Sequence, residues 1–480
     1  SYPGQFQELP NGSYVTVPDN PLLAQTGSFT LQAWIAPTKP TLTTPAGSFD
    51  VMRPTIAQGL LTKWSATESK GYGLVINESG NLALWLGDPQ GQTEIVSSGK
   101  PFRPWRPAVR WARGAQNVDT NTWYFVAATF DATTGRVVLY QEPLTDWPLD
   151  DSNVVVEHTV QTKTLGTTDA PFLMGAYWAW REASEADATG HYNGKLENPR
   201  LFDRALTKEE IQNLKRGTVP SGAVATWDFS LDISSRKVSD TSGNDLHGQT
   251  VQMPTRAVTG HNWEEQEMHW RNAPEQYGAI YFHDDDLDDA QWKVGFEYPV
   301  PADLKSSIYA ARLRAGNGED YVPFFVRPKK GTATAKIAFL VPTFSYMAYA
   351  NSGGFRDPQL LSLYHRHSDG SGVTYSSRLR PILNMRPKLV TRNPWQFMAD
   401  THLTDWLEAK EFQYDVITDE DLHWEGASLL EPYNVIITGT HPEYDSDEML
   451  DGFESYLNSG GRLMYMGGNG FYWITSLDPE

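Results

Sequence analysis

Tyrosine, histidine and glutamate residues follow several apolar runs of this 480-residue sequence, where they could act together in chemistry. The segment GTHPEY, residues 439–444, comes directly after YNVIIT, an apolar run rich in β-branched residues that is typical of a buried strand. Many α/β hydrolases hold a cysteine or serine nucleophile at such a position, but this chain contains no cysteine. A thiol nucleophile, a disulfide framework and a thiolate metal site are therefore excluded.

Other polar segments follow predicted strands in the same way, namely SYMAYAN with the SLYHRHSDG loop after it, and GGNG. At the carboxyl ends of parallel strands, Tyr349, Tyr364, His441, Glu443 and Asn469 would meet on one rim. Phenolate and carboxylate oxygens suit a hard cation such as Fe(III) better than Zn(II), which favours His and Cys. A strong Lewis acid would also explain how a tyrosine with an ordinary pKa of about 10 loses its proton at neutral pH.

Each of these residues also has an ordinary structural interpretation. Most of the 22 tyrosines must be core or rim aromatics with a hydrogen-bonded hydroxyl. His441 could cap the next helix, Glu443 could face a helix dipole in solvent, and Asn469 between glycines is a natural turn residue. Spacing alone leaves these alternatives open.

Two further motifs suggest other metals. The acidic run HDDDLDDA, residues 283–290, suggests calcium, but it lacks the glycine and terminal glutamate of an EF-hand loop, and we expect a solvated loop. The run HRHSDGSG could bind zinc through His365 and His367, although its sequence offers no third ligand nearby. Zinc is therefore a minor alternative.

The elements that must position the rim residues belong to the carboxyl-terminal part of the chain. From about residue 335 strands alternate with helices: strands at 335–344, 414–419, 433–439 and 461–468, and helices at 401–412 and 446–460. This alternation predicts a parallel, doubly wound sheet. The chain stops soon after a strand, so we expect this α/β domain to be incomplete.

The first part of the chain shows a different pattern, with short alternating strands separated by Gly, Pro, Asn and Asp. This pattern predicts an antiparallel sandwich. One helix interrupts it at 207–217, with Thr207 as N-cap, Glu210 as its capping-box partner and Gly217 past its end. The stretches FTLQAWIAP, WYFVAATFDATTGRVVLY and LENPRLFDRALTKEEIQNL resemble the laminin-G/concanavalin-like jelly roll. We predict this sandwich at 1–260, a small Ig-like β domain at 261–334 and the α/β domain at 335–480.

Composition narrows the classes of partner. Acidic residues outnumber basic ones, 59 to 39, for a net charge of −20, which argues against nucleic acid or an anionic membrane as partner. No apolar run approaches the roughly 18 residues that suggest a transmembrane helix. The chain begins at Ser1 with neither an initiator Met nor a signal pattern, so we expect the natural N-terminus to be missing and a bacterial, cytoplasmic location.

Several long motifs carry a more specific resemblance: LVPTFSYMAYAN, SLYHRHSDGSGVTYSSRLRPILNMRPK, YDVITDEDLH, YAARLRAGNGEDYVPFFVRP and GTHPEYDSDEMLDGFESYLNSGGRLMYMGGNGFYW. Together they resemble the large (beta) subunit family of bacterial N,N-dimethylformamidase over most of the chain. The resemblance implies a glutamine-amidotransferase-like α/β domain. It also implies metal-assisted hydrolysis of N,N-dimethylformamide to dimethylamine and formate at a mononuclear iron held by two tyrosines and a glutamate.

By motif position, the resemblance assigns the metal to Tyr349, Tyr364 and Glu443, with Tyr346 as the alternative first ligand. It assigns His441 and Asn469 to the pocket as groups that orient water or substrate, and places the general base beyond residue 480. It further implies a small second subunit and homo-oligomerisation. Two non-catalytic alternatives remain. In one, the sandwich binds a carbohydrate or protein through aromatics such as Trp178 and Trp180. In the other, it serves assembly.

Overall fold

A computed structural model describes residues 9–39, 56–102, 122–145, 152–181, 184–352, 359–386 and 395–478. The chain forms two compact units. The sandwich unit comprises Asn11–Leu287 and His367–Ser371. The parallel-sheet unit comprises Ser1–Pro10, Asp288–Arg366 and Gly372–Glu480.

The sandwich unit is built almost entirely from antiparallel strands. Its strands in chain order are β1 (Tyr14–Val17), β2 (Phe29–Pro37), β3 (Gln58–Ser65), β4 (Lys70–Ile76), β5 (Asn81–Gly87), β6 (Thr93–Pro101), β7 (Tyr124–Asp131), β8 (Arg136–Pro143), β9 (Val154–Thr159), β10 (Phe172–Met174), β11 (Tyr177–Arg181), β12 (Ser184–Thr189), β13 (Gly194–Phe202), β14 (Ala223–Asp228), β15 (Lys237–Asp240), β16 (Gly248–Val251), β17 (Thr255–Val258) and β18 (Ala279–Phe282). One layer runs β6-β5-β4-β3-β10-β1-β16-β15, and the other runs β9-β8-β7-β2-β13-β18-β17.

The core lies between the two layers because apolar residues alternate along the strands. In β2, Phe29, Leu31, Ala33 and Ile35 enter this core together with leucines of β4 and β5 from the opposite layer. The intervening residues of β2 face a second cluster, which includes the buried side of helix α1 (Lys208–Lys215). The predicted sandwich is confirmed.

Helix α1 begins as its sequence predicts. The Thr207 hydroxyl accepts a hydrogen bond from the backbone N–H of Glu210, and the Glu210 carboxylate accepts one from the backbone of Thr207. This reciprocal capping box satisfies two N–H groups that a helix start leaves unpaired. Gly217 follows the helix at φ +84°, a backbone conformation that favours glycine.

The structure divides residues 261–334 differently from the prediction of a small Ig-like domain. Strand β18 pairs with β13 and β17 and so belongs to the sandwich unit, which extends to Leu287. The remaining strands of this stretch, β19 (Ser307–Ala315) and β20 (Gly318–Val326), form a two-stranded antiparallel hairpin in the parallel-sheet unit. Strand pairing over long sequence distances decides this division, and local sequence patterns do not encode it.

The parallel-sheet unit contains a four-stranded sheet of order β22-β21-β23-β25, with every pair parallel. Its strands are β21 (Ile337–Val341), β22 (Asp415–Thr418), β23 (Val435–Thr438) and β25 (Arg462–Met464), and a separate parallel pair joins β24 (Tyr444–Asp445) to β26 (Trp473–Ile474). Its helices are α2 (Thr343–Ala348), α3 (Phe397–Ala409), α4 (Asp419–Glu425), α5 (Ala427–Leu430) and α6 (Asp447–Asn458). The predicted strand–helix alternation is observed, and none of the described helices is long and apolar enough to cross a membrane.

Helices cover both faces of this sheet. In β21, Ala338 and Leu340 pack with residues of α4, α5 and α6, whereas Phe339 and Val341 pack on the other face with Phe397 of α3. A strand buried on both faces reads as a continuous apolar run, which is why IAFLV shows no polar alternation. The carboxyl ends of β21, β23 and β25 therefore lie along the same edge of the sheet.

Candidate metal centre

The polar segments after β21, β23 and β25 form the candidate site at this edge. Tyr349 caps the carboxyl end of the short helix α2, which begins two residues after β21 ends. Glu443 lies five residues past the end of β23, and Asn469 lies five residues past the end of β25. Parallel strands thus bring together residues that are more than 100 positions apart in sequence.

Glu443 is the centre of the site, and its two carboxylate oxygens have different partners. Oε2 accepts the Tyr349 hydroxyl at 2.6 Å and lies 3.0 Å from Nε2 of His441. Oε1 accepts the Tyr472 hydroxyl at 2.6 Å and the side-chain amide of Asn469 at 3.2 Å. Burial alone would raise the pKa of Glu443, but the hydrogen bonds from Tyr349, Tyr472 and Asn469 outweigh it and hold the pKa below its usual value. The carboxylate is therefore kept ionised.

The two candidate tyrosine ligands lie side by side. The rings of Tyr349 and Tyr364 stack with centroids 4.3 Å apart and planes inclined by 13°. Tyr349 is buried, Tyr364 is half exposed, and the Tyr364 hydroxyl lies 2.7 Å from that of Tyr444. Burial raises the pKa of each phenol well above the ordinary value for tyrosine. For Tyr349, the hydrogen bond to Glu443 raises the pKa further. Only a nearby positive charge would ionise these phenols at neutral pH.

His441 is fixed in orientation by a backbone contact. Its Nδ1 accepts a hydrogen bond from the backbone N–H of Asn469 at 3.3 Å. A neutral imidazole with an accepting Nδ1 carries its proton on Nε2, so Nε2–H points at Glu443 and lies 3.4 Å from the Tyr349 hydroxyl. The structure thus brings His441 and Asn469 to the same rim as the three candidate ligands.

Tyr346, the alternative first ligand, lies elsewhere. Its side chain is fully buried among Phe339, Val341 and Phe397, and its hydroxyl donates to the Asp400 carboxylate. The other oxygen of Asp400 accepts the backbone N–H of Thr440 at 2.6 Å. Tyr346 and Asp400 therefore support the loop that carries Glu443, and the structure places Tyr349 at the rim.

Several supporting residues were not predicted from the sequence. The Ser345 hydroxyl accepts the backbone N–H groups of Glu443 at 2.9 Å and Tyr444 at 3.3 Å, which ties the loop to α2. The Trp395 ring lies edge-on to Tyr349, with centroids 4.7 Å apart. Tyr444 and Tyr472 stand next to predicted residues in HPEY and GGNGFYW, and that adjacency is the signal that could have identified them.

The zinc alternative is not supported by the geometry. His365 uses Nδ1 to accept the backbone N–H of Ser362, a local turn contact. His367 belongs to the sandwich unit, where it forms a buried group of three with His283 and Asp286 that sequence spacing did not reveal.

The rings of His283 and His367 stack at 3.7 Å with an interplanar angle of 6°. In parallel stacked rings the nitrogen lone pairs lie in separate planes and do not converge on one ion. The nitrogens of His283 contact Asp286 at 3.2 Å and Ser371 at 2.9 Å, so the cluster is an ion-paired core feature. The expectation of a solvated loop at 283–290 was wrong, because His283, Asp286 and Asp288 are buried.

Of the two tryptophans proposed for a carbohydrate platform, the structure describes the side chain of Trp178. Trp178 is partly buried and packs against Leu173, Ala176 and Ala188. The side chain of Trp180 lies outside the described part of the structure.

Both parts of the chain match known protein families. Residues 255–480 match the family described as N,N-dimethylformamidase beta subunit-like, C-terminal. Residues 9–212 match the concanavalin A-like lectin/glucanases superfamily. The second match agrees with the sandwich seen in the structure.

Individual relatives extend this similarity to the whole chain. The chain is 38% identical to the N,N-dimethylformamidase beta subunit of Paracoccus aminophilus and 35% identical to that of an Alcaligenes species. Both similarities cover 100% of this chain, which spans 65% of the length of each relative. The alignment with the solved heptameric SAP-like pentraxin of Limulus polyphemus covers 51% of this chain and 96% of the pentraxin chain, at 13% identity and a TM-score of 0.27. This chain is thus a homologue, over its full length, of two N,N-dimethylformamidase beta subunits, and its residues 255–480 match the C-terminal model of that family.

Proposed function

We propose that this chain holds a mononuclear Fe(III) site that hydrolyses N,N-dimethylformamide and related small formamides to dimethylamine and formate. The observation that carries the proposal is the convergence of three oxygen donors, from Tyr349, Tyr364 and Glu443, at one edge of the parallel sheet. The names of the two relatives, both N,N-dimethylformamidase beta subunits, support the reaction and the substrate class.

The donor set fits a hard trivalent cation. All three candidate donors are oxygens, and two phenolates with one carboxylate would carry three negative charges against the three positive charges of Fe(III). The phenols of Tyr349 and Tyr364 have raised pKa values in the protein alone, so their ionisation requires a cation at the site. A softer ion would find no thiolate, since the chain has no cysteine.

The iron would supply Lewis acidity, which polarises an amide carbonyl or acidifies a water molecule. The protein's own groups then serve the reaction in which water adds to the carbonyl carbon, the C–N bond breaks and the amine leaves with a proton. Nε2–H of His441 can donate to the tetrahedral oxyanion, which has more negative charge than the substrate carbonyl. The Asn469 side-chain amide offers a second donor close to Glu443.

The assembly and location of the protein are also part of the proposal. The relatives are named as beta subunits, which supports a small second subunit and a larger oligomer for this chain. We propose further that the parallel-sheet unit has the amidotransferase-like architecture and that the protein acts in the bacterial cytoplasm. The alternative of a carbohydrate-binding module is supported by the match of residues 9–212 to the concanavalin A-like lectin/glucanases superfamily, whereas the packing of Trp178 within the sandwich unit speaks against a platform at that residue.

Metal analysis with a visible spectrum tests the proposal. The purified chain should hold about one iron and show a tyrosinate-to-iron charge-transfer band. Tyr349→Phe and Tyr364→Phe should each weaken the band, and Glu443→Ala should lose the iron. Formate release from N,N-dimethylformamide should fall in parallel when the chain is assayed together with its second subunit.

A matched control is Tyr309→Phe, which also removes one tyrosine hydroxyl. Tyr309 lies in β19, and its hydroxyl donates to the backbone carbonyl of Lys305. This variant should keep the iron, the band and the activity. A parent protein that binds no iron, or variants of Tyr349, Tyr364 and Glu443 that all match the parent, would overturn the proposal.

A further inference from the structure

Tyr444 lies beside one of the candidate ligands without being one of the three itself. Its hydroxyl is 2.7 Å from the hydroxyl of Tyr364. Its backbone is held on two sides: the N–H donates to the Ser345 hydroxyl at 3.3 Å, and the residue pairs with Trp473 in the β24–β26 ribbon. Its ring packs, partly buried, against the apolar cluster beneath the sheet. The position of the Tyr444 hydroxyl is therefore set by the fold.

The direction of this hydrogen bond follows from chemistry once Tyr364 binds a cation. With both phenols protonated, either hydroxyl could donate to the other. A phenolate ligand has no proton to give, so the Tyr444 hydroxyl must then be the donor.

We propose that Tyr444 is a positioning residue that donates a hydrogen bond to the Tyr364 phenolate and thereby sets its orientation and its donor strength toward the iron. The proposal rests on the function proposed above. A hydrogen bond to the phenolate oxygen lowers the energy of its lone pairs, which weakens its donation to the metal and leaves the metal a stronger Lewis acid. Hydrogen-bond partners of metal ligands act in this way at many metal sites.

The alternative role for Tyr444 is that of an iron ligand in place of Tyr364. The structure favours Tyr364 as the ligand, because the Tyr364 ring stacks on Tyr349, whose hydroxyl already contacts Glu443. The ring of Tyr444 lies farther from Tyr349, with centroids 6.2 Å apart. The two roles give opposite spectroscopic results.

The test compares the parent with Tyr444→Phe, which keeps the ring and its packing and removes only the hydroxyl. We expect one iron per chain and a charge-transfer band of unchanged intensity, displaced to longer wavelength because the phenolate lone pairs rise in energy. Iron should also be lost to a competing chelator about tenfold more readily, because the loss of the contact that orients Tyr364 outweighs the stronger donation of its oxygen. Tyr309→Phe should leave both the wavelength and the chelator competition at parent values.

A double-mutant cycle isolates the contact with Tyr364. In a Tyr364→Phe background the phenolate is absent, so adding Tyr444→Phe should no longer displace the remaining band. A purely structural role for Tyr444 would give the same displacement in both backgrounds and would overturn the proposal. An unmoved band in the single variant would overturn it as well, and so would loss of band intensity, since that would make Tyr444 a ligand.

These outcomes separate this inference from the proposed function. A parent with tyrosinate-bound iron and a Tyr444→Phe band at the parent wavelength defeats the inference alone. A parent that binds no iron defeats the proposed function and, with it, this role of Tyr444.

Discussion

The two carboxylate oxygens of Glu443 have different hydrogen-bond partners, and this difference bears on metal binding. Oε2 faces Tyr349 and His441, while Oε1 is occupied by Tyr472 and Asn469. Because Tyr349 is itself a candidate ligand, a cation that replaces its hydroxyl proton would lie against Oε2, while Tyr472 and Asn469 hold Oε1. The partners of Oε1 should therefore matter to metal binding although they do not belong to the candidate ligand set.

This division of roles gives a prediction for Tyr472→Phe. The variant removes the hydrogen bond from Tyr472 to Oε1 and keeps the one from Asn469. The Glu443 carboxylate is therefore held less firmly in its orientation. We expect iron to be lost to a chelator about tenfold faster than in the parent. The tyrosinate band should keep its wavelength, because neither phenolate loses a partner. A displaced band, or iron release at the rate of Tyr309→Phe, would contradict this assignment.

His283 offers a prediction about stability and pH in the sandwich unit. Burial alone would lower its pKa, but the carboxylates of Asp286, Asp369 and Asp285 outweigh burial and raise it to about 9, from an ordinary 6.5. A folded-state pKa above the unfolded value stabilises the fold fully below pH 6.5, and this contribution disappears as the pH rises through 9. The size of the shift corresponds to on the order of 3 kcal/mol. The groups that face the His283 ring are Tyr281, Asp285, Asp286, His367, Asp369 and Ser371.

The measurement is the free energy of unfolding in urea between pH 6 and pH 10, for the parent and for His283→Asn. Asparagine keeps polar atoms at the site but has no titratable charge. We expect the parent to exceed the variant by most at pH 6, with the difference shrinking toward pH 10. A difference in unfolding free energy that stays constant over this pH range would show that the charge on His283 does not stabilise the fold.

At the scale of elements, the loop after β23 is positioned by close packing of Gly439. A Cβ added to Gly439 would lie 2.5 Å from Cδ of Pro342 and 2.6 Å from Oδ2 of Asp400, much closer than atoms approach in proteins. Asp400 holds the backbone N–H of Thr440, so a displaced Asp400 would release the loop that leads to Glu443. The absence of a side chain at Gly439 is therefore a requirement of the site.

Gly439→Ala tests this requirement. We expect a loss of stability of about 1–3 kcal/mol, as for other overpacked positions, together with a lower iron content. Gly295→Ala is the matched control, because a Cβ there meets no atom within 4 Å. An alanine at Gly439 with parent stability and parent iron content would show that the loop tolerates the added methyl group.

Local sequence patterns predicted the four strands of the parallel sheet and the helix α6, whereas α3 lies at 397–409 instead of 401–412, and α4 and α5 were not predicted. β23 and β21 are apolar runs of β-branched and aromatic residues, and α6 has a strong apolar stripe behind its Ser446 cap. Helix α2 was missed because its six residues follow Pro342 directly and have no side-chain cap. This helix separates the two alternative ligands, because Tyr346 faces the core and Tyr349 faces the rim.

What the sequence could not predict depends on contacts between distant segments. The pairing of β18 with β13 joins residues more than 80 positions apart, and the buried cluster of His283 with His367 spans a similar distance. Tyr472 reaches Glu443 because the residues that follow them pair, Trp473 of β26 with Tyr444 of β24. The rim itself was predictable, because the carboxyl ends of parallel strands lie at the same edge of a sheet.

At the scale of the whole molecule, the candidate ligands and their described supporting residues all belong to the parallel-sheet unit, while the buried histidine cluster belongs to the sandwich unit. Each unit has its own apolar core. A ligand stabilises the conformation that binds it, and the gain in protection is greatest where the opening motion breaks the site. Iron should therefore protect backbone amides from exchange more strongly in the parallel-sheet unit than in the sandwich unit.

Hydrogen exchange with and without iron measures this distribution. We expect iron to slow exchange of backbone amides in β21, α2 and β23, because opening these elements separates Tyr349 from Glu443. Amides of β2 and β7 in the sandwich core should exchange at the same rate in both states. Glu443→Ala should remove the slowing in the first group. Equal slowing in both groups would mean that iron stabilises the molecule as one cooperative body, and no slowing in β23 would mean that the metal binds away from this rim.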